Sequence, residues 1–290
     1  MQPGIYRIPA EEYHEDPCPS PSLSRSIIKD LLFRSPAHAK NNHPRLNPDF
    51  KEEEKVIFDI GTVAHALFLQ GIDRACVVSA EDWRTKAAKE AREAARSMGL
   101  IPLLAAQYET ISKMVEAAHE ALRQNADLNV AIADGESELT YIWKEKDIWI
   151  RVRPDWLKTS KEIMLDYKTT GQSANPSDFS RLVITTGLDI QGALYRRGVR
   201  AIEGIDPKFC LMVQEVNPPY LCSFIGLPPQ LEAMGEEKVE RGIEIWRKCI
   251  TTGEWPGYPK RVCYVDMPPW ALAQWQERQF DIGLSMQEEF

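Results

Sequence analysis

At 290 residues, 43% of them hydrophobic, the chain is long enough to bury a large core, yet no stretch approaches the roughly 20 apolar residues of a membrane span. A formal charge of −8 excludes a protein coated in basic residues, so any nucleic-acid surface has to be a local groove or channel lined by Lys and Arg. Cys18, Cys76, Cys210, Cys222, Cys249 and Cys263 are scattered, with no CxxC pair and no secretory signal ahead of them, which argues against a disulfide framework, a zinc site or an iron–sulfur cluster and for reduced thiols in a cytoplasm.

Residues 1–50 are rich in Pro, Ser, His and Asn and predict an irregular leader around one short helix at 24–33, with Ser24 placed to cap it. FDIGTVAHALFLQG follows, and its apolar density and closing Gly71 predict a buried helix. Residues 81–125 predict a helical insertion. Its first half, EDWRTKAAKEAREAARSM, is a charged, solvated helix with opposite charges at neighbour spacing; its second half follows Pro102.

Residues 137–143, 148–156 and 163–169 are short, β-branched and aromatic, and predict three neighbouring antiparallel strands. A helix at 187–202, strands at 209–216 and 220–227, and a long amphipathic helix at 228–251 come next. The tail, 252–290, is turn-rich before a last helix near 270–280. The whole predicts a single domain over 1–290: an α/β core with a mixed, mainly antiparallel central sheet flanked by helices.

IWIRVRPDWLKTSKEIMLDYKTT places Asp155 at the end of one strand and Asp166 and Lys168 on the next. Side chains alternate along a strand, so Asp166 and Lys168 share a face while Tyr167 points away, and a hairpin brings Asp155 beside them. Two carboxylates and an ammonium suit phosphodiester hydrolysis. Hard oxygen ligands hold Mg²⁺, or Mn²⁺ in its place, and the lysine orients the attacking water and offsets phosphoryl charge. A lone DxK triplet is ordinary surface charge; Asp155 at hairpin distance is what gives this one weight.

His65, one helical turn from Gly61, offers a nitrogen ligand, against the blander reading of a satisfied core histidine. Glu138, in ESELTYIW, supports a metal or a water unless it is an edge-strand charge. Gln191 and Tyr195 lie one turn apart on a helix after the catalytic strands, within reach of a phosphate or a base edge. Arg196, Arg197 and Arg200 extend that helix as a basic patch for DNA phosphates.

Taken in order, GTVAH, SELTYIW, RPDWL, LDYKTT and QGALY resemble the RecE-type exonuclease (exonuclease VIII) branch of the PD-(D/E)XK nucleases, as do the leader segments PGIYRIPAEEYH and SLSRSIIKDLLFRSPAHAK, over about residues 3–260. The resemblance implies metal ligands at His65, Asp155, Asp166 and the backbone carbonyl of Tyr167, with Lys168 as the catalytic lysine and Gln191 and Tyr195 beside the site. It also implies digestion of linear double-stranded DNA from the 5′ end, leaving a 3′ tail for a RecT-like single-strand annealing protein, by a ring-forming homo-oligomer. The chain lacks the long N-terminal extension of the largest family member, which points to a stand-alone phage or prophage enzyme of the bacterial cytoplasm. Two alternatives stay open: a structure-specific or restriction-type endonuclease on the same core, and an inactive DNA-binding assembly protein.

Overall fold

The computed structural model describes residues 1–50, 59–128 and 130–287. The leader is more ordered than its composition predicts. It holds β1 (Gly4–Tyr6), α1 (Ala10–His14), α2 (Arg25–Phe33) and α3 (Pro36–Asn41). Ser24 does sit at the N-cap of α2, but its hydroxyl meets the Ser26 hydroxyl at 3.1 Å and caps no backbone N–H.

The buried helix is α4 (Asp59–Gln70), stopped by Gly71 in the left-handed region at φ 64°, where a residue with a Cβ is strained. The insertion is not wholly helical. After β2 (Ala75–Val78), which precedes it, the insertion runs α5 (Lys86–Ser97), β3 (Ile101–Leu104) and α6 (Ala105–Gln124), and β2 and β3 pair in parallel as a small sheet of their own. Four-residue apolar strands show no periodicity of their own, and Pro102 is tolerated because a two-stranded sheet has only edges.

Next come β4 (Gly135–Ser137), β5 (Thr140–Glu145), β6 (Ile148–Val152), β7 (Trp156–Lys158) and β8 (Ile163–Thr170). The predicted strands 137–143 and 148–156 therefore each run across a break, with only Ser137 of the first in β4 and only Trp156 of the second in β7. Glu138, at φ 60°, separates β4 from β5; Pro154, which has no N–H to give a ladder, sits between β6 and β7. At these breaks the chain passes between sheets. One sheet has the order β1–β5–β6, and the larger has the order β10–β9–β8–β7–β4.

The larger sheet is completed by β9 (Lys208–Glu215) and β10 (Cys222–Gly226), after α7 (Pro176–Thr186) and α8 (Leu188–Glu203). Only β8 and β9 run parallel within it, and the two helices supply the long crossover that parallel pairing requires. The final helix of this unit is α9 (Pro229–Thr252).

Alternation along β8 and β9 divides the core in two. Met164, Phe209, Leu211 and Val213 pack with Ile28 of α2, Leu194 of α8 and Trp246 of α9. Leu165, Tyr167, Cys210 and Met212 pack with Val63 and Phe68 of α4 and Met114 of α6. With helices on both faces, the mixed and mainly antiparallel sheet lies inside an α/β sandwich. The described chain divides into two compact units, 1–256 and 257–290; the second holds α10 (Pro269–Gln287). No helix among the described residues is long and apolar enough to cross a membrane.

Candidate metal centre

Antiparallel pairing of β7 with β8 (Trp156↔Leu165, Leu157↔Met164) sets Asp155, one residue before β7, opposite Asp166. Asp166 is fully buried, and Lys168 stands two residues along on the same face. Lys168 Nζ bridges the two carboxylates, 2.6 Å from Asp166 Oδ2 and 3.5 Å from Asp155 Oδ2. The Tyr167 side chain turns to the opposite core, its ring centroid 4.8 Å from that of Phe68.

Pairing with β7 ends at Trp156, which leaves the next stretch of the β8 edge open. There the Tyr167 N–H donates to Asp155 Oδ2 at 2.9 Å. In an extended strand the carbonyl of a residue lies on the same edge as its N–H, so the Tyr167 carbonyl faces the Asp155 side as well.

His65 arrives on α4 from the other layer. The close approach of α4 to β8 depends on Gly61: a Cβ there would stand 2.8 Å from Thr169 Oγ1. His65 Nε2 lies 3.1 Å from Asp155 Oδ2, and Nδ1 lies 3.5 Å from Glu138 Oε1. Glu138 is held by its own N–H, which donates to the Asp155 carbonyl at 3.1 Å, and by Arg153, whose Nε donates to Oε2.

Burial and then the Asp155 charge push the Asp166 carboxyl well above the usual carboxylate range. Burial works the same way on Asp155, but Lys168, His65 and the Tyr167 N–H overcome it and hold that carboxyl well down. Burial disfavours charge on Lys168 and His65 too, yet the facing carboxylates raise both. Asp155 is thus firmly ionised while Asp166 is under strain as an anion.

A divalent cation suits this donor set. Ligand atoms of His65, Glu138 and Asp155 all lie within 4.8 Å of one another. Donors around one octahedral Mg²⁺ at about 2.1 Å are at most about 4.2 Å apart, so a closure of under about 1 Å suffices. Asp166 Oδ2 is buried with the Lys168 ammonium 2.6 Å away and no further donor among the described residues, so the oxygen keeps lone-pair capacity for a cation.

The structure brings Asp155, Asp166, Lys168, His65 and Glu138 together, but it corrects the surface roles given to α8. Gln191 is buried and donates its amide to Asp166 Oδ1, so it supports a site carboxylate and presents nothing to a base edge. Tyr195 is buried as well, and burial together with the Tyr13 and Asp166 charges pushes its phenol well up.

Arg196, Arg197 and Arg200 form no free basic patch. Arg196 pairs with Asp206 at 2.8 Å and Glu232 at 2.9 Å; Arg197 pairs with Glu145, Glu236 and Glu240; Arg200 pairs with Glu236 at 3.0 Å. Acidic residues from β5, α9 and the loop before β9 neutralise the row, and sequence spacing along α8 says nothing of those partners. Arg153 went unnoticed, although its position two residues before Asp155 was a usable signal. Helix α7 was missed too, despite Asn175 capping it at 3.1 Å and Pro176 in its first turn.

A family model described as a PDDEXK-like domain of unknown function (DUF3799) matches residues 24–268. No curated protein matches the sequence. Among solved structures, a crystal structure from Eubacterium rectale described as a "Putative exonuclease" superposes with a TM-score of 0.57 at 13% identity, covering 92% of this chain and 98% of that one.

Proposed function

This chain belongs to the PDDEXK-like domain family DUF3799, and from that premise we propose that it is a divalent-metal-dependent nuclease that digests linear double-stranded DNA from its ends. The observation that carries the reading is the convergence of Asp155, Asp166, Lys168, His65 and Glu138 at the middle of β8, with His65 brought in on α4. The name given to the similar Eubacterium rectale structure supports exonuclease over endonuclease action, as does the resemblance to the RecE-type exonucleases.

Asp155, Asp166, His65 and the Tyr167 carbonyl would hold the ion, with Glu138 beside them. When bound, Mg²⁺ or Mn²⁺ polarises a phosphoryl oxygen and lowers the pKa of a bound water. Lys168 remains an ammonium between the carboxylates, placed to donate to the attacked phosphate or its water and to offset charge built up at phosphorus. Gln191 donates to the other oxygen of the Asp166 carboxylate, Oδ1.

Direction 5′ to 3′, a 3′ tail passed to a RecT-like annealing protein and a ring-shaped homo-oligomer complete the proposal, each implied by the resemblance of the ordered motifs to the RecE-type exonucleases. The test compares linear and covalently closed forms of one plasmid with Mg²⁺, each with an EDTA control. Loss of the linear form alone, blocked by EDTA, is expected. Cutting of the closed circle assigns an endonuclease instead, and no cutting of either form overturns the nuclease reading.

A further inference from the structure

Arg153 makes three contacts that join the leader to the metal centre. Its Nε donates to Glu138 Oε2, its Nη1 donates to the Ile8 carbonyl at 2.7 Å, and its guanidinium carbon lies 5.9 Å from the centre of the Tyr13 ring. The side chain is only 13% exposed, so these partners replace water. Beyond Glu138 the line continues: Oε1 faces His65 Nδ1 at 3.5 Å, and His65 Nε2 faces Asp155.

An imidazole presents one nitrogen to a metal reliably when the other is held by an acceptor that fixes the tautomer and ring plane. The Glu138 carboxylate faces His65 Nδ1 at 3.5 Å and is placed to be that acceptor. Glu138 stands in the left-handed backbone region, φ 60°, which costs a residue with a Cβ about 1 kcal/mol and needs support from its surroundings. Its N–H bond to the Asp155 carbonyl fixes the backbone, but that leaves the carboxylate free to swing. The planar guanidinium of Arg153 fixes the carboxylate.

We infer that Arg153 is a positioning residue for the metal centre, clamping Glu138 so that this carboxylate aims His65 at the ion shared with Asp155. The inference rests on the metal-dependent reading above. It makes the leader part of the site, because the Ile8 carbonyl holds the other arm of the same guanidinium.

Mn²⁺ binding to the full chain, measured by calorimetry beside thermal melts, tests this for the wild type, Asp155→Ala, Arg153→Ala and Arg153→Lys. Arg153→Ala is expected to stay folded and to bind Mn²⁺ about tenfold more weakly or worse, the usual size of a lost ligand-orienting contact. Arg153→Lys, with the charge but not the fork, should fall between. At limiting Mn²⁺ the Ala variant should lose kcat and recover it with added metal, with KM for DNA unmoved.

A folded Arg153→Ala that binds Mn²⁺ like the wild type, even with a lowered melting temperature, makes Arg153 a leader anchor only and overturns the inference alone. A wild-type chain that binds no Mn²⁺, or an Asp155→Ala chain that binds it undiminished, overturns the metal reading as well. If Arg153→Ala unfolds, Glu138→Gln decides: it keeps the volume and removes the charge that Arg153 grips, and unchanged Mn²⁺ affinity in it overturns the inference.

Discussion

Gln191, in the first turn of α8, donates its side-chain amide to Oδ1 of Asp166, a carboxylate buried in the middle of the β8 face. This joins the QGALY and LDYKTT segments through one hydrogen bond in a water-excluded place, where removing a partner costs more than the bond itself contributes. Truncation by Gln191→Ala should destabilise the fold by about 1–3 kcal/mol and lower kcat by about tenfold or more, with KM for DNA little changed. Urea melts and steady-state kinetics check this; a raised KM with unchanged kcat would return Gln191 to a DNA-contact role.

Asp166 is costly as an anion when no cation is bound, because burial and the Asp155 charge both oppose its ionisation. Asp166→Asn keeps the shape and removes that charge. Without metal, the variant should melt at or above the wild-type temperature while cleavage is abolished, a trade of stability against function. Divalent metal should raise the wild-type melting temperature, by about 2.7 kcal/mol of stability at a hundredfold excess over Kd, and the variant should lose most of that gain. Calorimetric scans with metal and with EDTA distinguish the two.

Asp16 provides the pH dependence. It is buried against Ser22, whose hydroxyl donates at 2.6 Å and whose N–H donates at 2.8 Å, with Arg151 at 3.2 Å and His43 at 3.3 Å. Burial alone would raise this carboxyl, but His43, Arg151 and Ser22 lower it to about 2. A depressed carboxyl contributes stability that is complete above its unfolded value of 3.8 and is lost as pH falls from there towards about 2. The loss should be about 2 kcal/mol in urea melts between pH 5 and pH 2. Asp16→Asn should be less stable at pH 6 and show a shallower acid limb; an unchanged limb would assign the acid sensitivity elsewhere.

Arg197 tests the correction to the basic patch. It is enclosed by Glu145, Glu236 and Glu240 between β5, α8 and α9. Arg197→Ala takes the ion-pair partner from Glu145, while Glu236 keeps Arg200 and Glu240 keeps Lys146, so a loss of about 1–3 kcal/mol is expected. DNA affinity and its slope against log salt should stay at the wild-type values, whereas a residue contacting phosphate would reduce that slope by about 1. Binding isotherms at several salt concentrations settle the point.

Residue type and spacing along the chain were enough to determine the local pieces. The DxK alternation put Asp166 and Lys168 on one face with Tyr167 on the other, and the hairpin spacing brought Asp155 opposite. These are short-range consequences of a two-residue strand period, so they need no knowledge of the rest of the molecule. Only the tertiary structure decided which charges meet. Arg196, Arg197 and Arg200 read as a free patch until α9 and β5 supplied their carboxylates, and Gln191 read as exposed until α8 packed it over Asp166. The same holds for Arg153, whose partners Ile8 and Glu138 lie 145 and 15 residues away. The energy of a charged or polar side chain depends on what replaces its water, and that is set by packing between elements distant in sequence.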